Sequence, residues 1–88
     1  MNVYRMNDYD WVAAINLVEA LRFYQAAIMP EYGDEEEDQP VKLTEEDMER
    51  LVFHHEDGHE MSFMDRLEEE LQNRGESREP FFFASTEI

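Results

Sequence analysis

The chain has no cysteine, which excludes a disulfide framework, a thiol nucleophile and a thiolate metal site. Basic residues are scarce as well. Seven Lys and Arg stand against 23 Asp and Glu, a formal net charge of −16 at pH 7. Phosphate recognition needs Lys and Arg to release counterions, so direct binding to DNA, RNA or an anionic membrane is not expected. No apolar run approaches the roughly 18 residues of a membrane span, and the N-terminus lacks the basic-then-apolar order of a signal peptide. These absences lead to the expectation of a soluble, cytoplasmic protein.

What is present is enough to fold. Hydrophobic residues make up 42% of the 88 and aromatics 12%, which argues against disorder despite the charge. A chain this short buries roughly 60–65% of its unfolded surface. It is read as a single domain over residues 1–88, interrupted by a flexible acidic loop at 31–41.

Local signals place the elements. Asn2–Met6 and Tyr9–Ala14 are rich in strand formers, and Asn7-Asp8 between them supplies turn residues, so a hairpin is expected. Asn16 is a candidate N-cap with Glu19 three residues on. Leu17, Ala20, Leu21, Tyr24 and Ile28 then follow helical spacing until Pro30 stops the helix. Asp34-Glu35-Glu36-Glu37-Asp38 has no apolar anchor, and self-repulsion predicts an extended, solvated loop. Thr44 and Asp47 form a capping pattern for a short helix. Leu51–His55 reads as a strand, Asp57-Gly58 as a hairpin turn and His59–Met61 as the return. Ser62 caps a last helix whose buried stripe is Phe63, Leu67 and Leu71, with Gly75 at its C-terminus. Phe81–Ser85 closes the chain as a strand. Rings on both its faces predict a central position, and the first strand is placed beside it. The expected class is α+β, a small, mostly antiparallel sheet with two main helices on one face plus one short helix. An exposed sheet edge would allow a weak dimer beside the monomer.

Few residues invite chemistry. His54, His55 and His59, with Glu56, Asp57 and Glu60 among them, carry donors that zinc accepts. Adjacent strand residues face opposite ways, so at most one of His54 and His55 joins His59. No metal or other cofactor is assigned. The acidic loop lacks the alternating ligands and internal glycine of a calcium-binding EF-hand loop. Ser62, Ser77 and Ser85 have structural explanations, and nothing pairs a nucleophile with a base. No catalytic residue is assigned, and a non-enzymatic protein is expected.

The acids are unevenly placed. Residues 1–30 hold only Asp8, Asp10 and Glu19, whereas residues 31–49 hold ten acids and one lysine. A salt-adapted surface would spread them evenly, so a directed acidic face is expected. Its residues are Asp34, Glu35, Glu36, Glu37 and Asp38 in the loop. Glu45, Glu46 and Glu49 join them from the short helix, with Asp47 beside them. The last helix adds Asp65, Glu68 and Glu69, with Glu70 on the same side. Carboxylates three or four apart on a helix lie about 5–6 Å apart at Cβ, comparable to phosphates along a nucleic-acid strand. Such a face suits a basic, nucleic-acid-binding partner.

Three stretches carry a resemblance over most of the chain: Val3-Tyr4-Arg5-Met6-Asn7-Asp8-Tyr9-Asp10-Trp11, Leu43-Thr44-Glu45-Glu46-Asp47-Met48-Glu49-Arg50-Leu51 and Phe82-Phe83-Ala84-Ser85-Thr86-Glu87. In these the chain resembles small acidic proteins of phages and mobile elements. In size, charge and helix–sheet make-up it is also similar to phage anti-CRISPR proteins that mimic DNA. The likeness implies a non-enzymatic inhibitor in the host cytoplasm that occupies the nucleic-acid site of a basic CRISPR effector subunit. The alternative is an acidic adaptor or regulatory module with no link to nucleic acid.

Overall fold

The structure, a computed structural model, describes residues 1–36, 38–55 and 57–85. Its elements in chain order are β1 (Asn2–Arg5), β2 (Asp10–Ala14), α1 (Leu17–Ala27), β3 (Val41–Lys42), α2 (Glu45–Arg50), β4 (Val52–His54), β5 (Glu60–Ser62), α3 (Phe63–Arg74) and β6 (Phe81–Ser85). The class is α+β. Packing divides the chain into two compact units, one built from Met1–Lys42 and the segment from Arg78 on, the other from Leu43–Ser77. No helix among the described residues is long and apolar enough to cross a membrane.

The first unit holds a four-stranded antiparallel sheet in the order β3-β1-β2-β6. The expected hairpin of β1 and β2 forms, with Tyr4 opposite Val12 and Val3 opposite Ala13. Asn7 shapes its turn, because the side-chain oxygen accepts from the backbone N–H of Tyr9 at 2.8 Å and of Asp10 at 2.9 Å. Two expectations about strand order fail. β6 does not lie beside β1 but pairs with β2, and it occupies an edge. The central place goes to β2 because Trp11, Val12, Ala13 and Ala14 are buried in succession, an unbroken apolar run that tolerates cover on both faces. The three Phe of β6 do not need a central position. The register skips one residue between Trp11 and Val12, a β-bulge that lets consecutive Phe83 and Ala84 both be buried, while Phe82 is exposed.

Helix α1 lies on this sheet through Ala20 and Tyr24, which join Tyr4, Met6, Val12, Ala14 and Tyr32 in one apolar cluster with Leu21, Phe23 and Met29 at its margin. Asn16 caps the helix as its spacing predicts, accepting from the Glu19 N–H at 2.9 Å. The predicted stripe is too wide, however. Leu17 and Ile28 are exposed, because the helix docks through its middle, where Ala20 and Tyr24 meet Val12 and Ala14, and its two ends lie outside that cluster.

The segment after α1 also departs from expectation. Tyr32 is fully buried, its ring edge-on to Tyr24 at 4.8 Å and its hydroxyl donating to the Met6 carbonyl. Gln25 Nε2 donates to the Tyr32 carbonyl at 2.7 Å. Gly33 takes φ +100°, a conformation open to glycine. Beyond it the acids are not extended. The Asp34 N–H bonds to the Glu31 carbonyl and the Asp38 N–H to that of Glu35, at 3.2 and 3.0 Å, so the described acids stand in turns. It ends in β3, where Val41 pairs with Arg5 and Lys42 with Tyr4. The buried Tyr32 and the pairing of Val41 in β3 fix the two ends of the segment.

In the second unit α3 packs on α2 and on the β4–β5 hairpin. The two long helices therefore do not cover one sheet as expected. α1 serves the four-stranded sheet, and α3 serves a separate two-stranded one. Local caps match their predictions here. Thr44 and Asp47 form a reciprocal capping box on α2, Ser62 Oγ accepts from the Asp65 N–H at 3.1 Å, and Gly75 ends α3 at φ +65°. Met48 and Phe63 are buried, while Leu67 and Leu71 are half-buried.

Candidate acidic interface

The candidate acids fall in both units. In the first, Asp34, Glu35 and Glu36 are exposed and Asp38 is half-buried; Glu37 lies outside the described residues. Burial, with the charge of Asp38 adding to it, pushes the Tyr32 hydroxyl up to about 12.

In the second unit Glu45, Glu46 and Glu49 on α2 and Asp65, Glu68 and Glu69 on α3 are all exposed. Glu45 and Glu49 stand one turn apart, as do Asp65 and Glu69 with Glu68 beside them. Each helix thus carries carboxylates at the spacing of about 5–6 Å. None of these six takes part in an ion pair among the described residues.

Two acids that helical spacing places on these faces are withdrawn from them. Glu70 sits between two arginines, bonded to Arg66 and, at 3.1 Å, to Arg74. Burial pushes its carboxyl up, but the hydrogen bonds and charges of the two guanidinium groups more than reverse this and hold it below the usual carboxylate range. Arg66 also stacks over the Phe53 ring, 4.1 Å from its centroid. Asp47 is held below its ordinary value by backbone and side-chain hydrogen bonds from Thr44, with Arg50 adding its charge at 2.9 Å. The partners Arg66 and Arg74, at i−4 and i+4 from Glu70, were the available signal.

The consequence is arithmetic. The segment 43–77 holds twelve Asp and Glu against three Arg, a formal net charge of −9 with His neutral. All three arginines, Arg50, Arg66 and Arg74, engage acids of the same segment. Each arginine is paired within the unit, and the six outward-facing carboxylates have no cationic partner among the described residues.

The histidines behave as alternation predicts. His54 stands across from Glu60 with Nδ1 3.3 Å from its carboxylate, and His55 packs against His59. Among the described residues no three His, Asp or Glu are gathered to hold a metal. Set against protein-family models, curated proteins and solved structures, the chain matches none of them.

Proposed function

We propose that the protein is a non-enzymatic inhibitor whose acidic surface occupies the nucleic-acid site of a basic effector protein, as a DNA mimic. A CRISPR effector subunit is the partner class that its resemblance implies. One observation carries the reading: two packed helices, α2 and α3, present six unpaired carboxylates while every arginine of their unit is tied up inside it. Rows of carboxylates on rigid helices steer a basic partner and match the lysines and arginines that otherwise grip phosphates. Like charges at this density weaken the fold itself, a cost that binding offsets.

The test is an affinity capture from lysate of a CRISPR-bearing bacterium, with and without excess short DNA duplex. The expected result is retention of a nucleic-acid-binding protein that the duplex displaces. Retention should be lost when Glu45, Glu46, Glu49, Glu68 and Glu69 are replaced together by Lys, with circular dichroism confirming the fold. A partner that holds DNA and this protein at once would overturn mimicry in favour of an adaptor. Capture unaffected by charge reversal would overturn the acidic interface altogether.

A further inference from the structure

The β4–β5 hairpin brings together two imidazoles and a thioether that the acidic surface does not use. The His55 N–H donates to the His59 carbonyl at 2.8 Å, and the Gly58 N–H returns to the His55 carbonyl at 3.0 Å, closing the turn. Phe53 pairs with Met61 two positions further along, past the His54–Glu60 pair. Side chains alternate along strands, so Phe53, His55, His59 and Met61 share one face, and His54 and Glu60 take the other. The contacts agree. The His55 and His59 ring centroids lie 5.5 Å apart, and His55 Nε2 lies 3.5 Å from Met61 Sδ. Phe53 stands edge-on to His55 at 4.9 Å, restricting its rotation.

We propose that His55, His59 and Met61 form a binding site for a soft monovalent metal ion, Cu(I). A nitrogen and a sulfur 3.5 Å apart can both bond one ion at about 2.1 and 2.3 Å, with an angle between them of about 105°. That is close to the opening of tetrahedral coordination. Thioether sulfur selects Cu(I) over harder divalent ions, and imidazole accepts it readily. The three donors come from one short hairpin whose register is set by backbone hydrogen bonds, so little ordering remains to be done on binding. The unit's net charge of −9 raises the local concentration of any cation. The site uses none of the six carboxylates of the acidic interface, so it stands or fails independently of the inhibitor reading.

The test is anaerobic competition for Cu(I) against a chromophoric chelator, on the full chain. The expected result is one equivalent bound, with affinity reduced at least tenfold in Met61→Leu, which nearly conserves volume, and in His59→Gln. Ag(I), a redox-inert stand-in, should shift the Met61 methyl and the ring protons of His55 and His59 in NMR spectra of the unmodified protein. This readout needs no variant to fold. Zn(II) should bind more weakly than Cu(I). Unchanged affinity in Met61→Leu, or Ag(I) shifts centred on other methionines, would overturn the assignment.

Discussion

Two phenol hydroxyls do much of the work of closing the first unit. Tyr24 accepts from Asn7 Nδ2 at 2.8 Å and donates to Asp10 Oδ2 at 2.6 Å, joining the hairpin turn to α1. Tyr32 donates to the Met6 carbonyl. Burial, together with the neighbouring Asp10 carboxylate, raises the Tyr24 hydroxyl well above its ordinary value of 10, and burial with Asp38 raises Tyr32 to about 12. An unfolded chain ionises both near pH 10 and so releases protons that the folded chain keeps. Their contribution to stability is therefore complete below pH 10 and is lost as pH climbs through 10 to 12 and beyond. Tyrosinate absorbance should show these two of the four tyrosines ionising only as the fold is lost. Ionisation of all four before any change in circular dichroism would contradict the structure. Tyr32→Phe leaves the Met6 carbonyl without its donor and should cost about 1–2 kcal/mol in denaturant unfolding. Tyr24 was legible from its helical spacing. Tyr32 was not, because it stands alone between Pro30 and Gly33 beside a run of acids, and one apolar residue has no period.

Helix α2 shows how short elements depend on their ends. Six residues are too few to be helical without help, yet Thr44 and Asp47 satisfy each other's backbone N–H groups at 3.1 and 3.2 Å. Thr44→Ala should cost about 1 kcal/mol and speed hydrogen exchange at Met48 and Leu51, whose amides bond back to Thr44 and Asp47. Unchanged exchange there would mean that packing of Met48 alone sustains the helix. Caps, turns and strand runs involve residues within four positions of one another, which is why their bounds were readable. The burial of α1 was only partly so. Its centre docks as spaced, but the exposure of Leu17 and Ile28 depends on how far the sheet extends beneath it.

Charge acts on the molecule as a whole. A net −16 on 88 residues opposes compaction, and salt screens that repulsion over about 10 Å at 0.1 M ionic strength. Raising NaCl from about 20 mM to 500 mM should therefore raise the melting temperature. A falling one would mean that the pairs of Glu70 with Arg66 and Arg74 outweigh the net repulsion. The same screening should weaken capture of a basic partner, so stability and binding should respond to salt in opposite senses. The acidic candidates were legible because composition and helical phase are properties of the chain, whereas the withdrawal of Glu70 and Asp47 required their partners' positions. The chain's local patterns determined its helices, caps, hairpins and charge, since those rest on neighbours in sequence. Which strand became central, where Tyr32 went and which imidazole met Met61 were decided by packing. These outcomes rest on competition among distant segments for a limited apolar interior, and β2, with four consecutive buried residues, won the central place that three phenylalanines had suggested for β6.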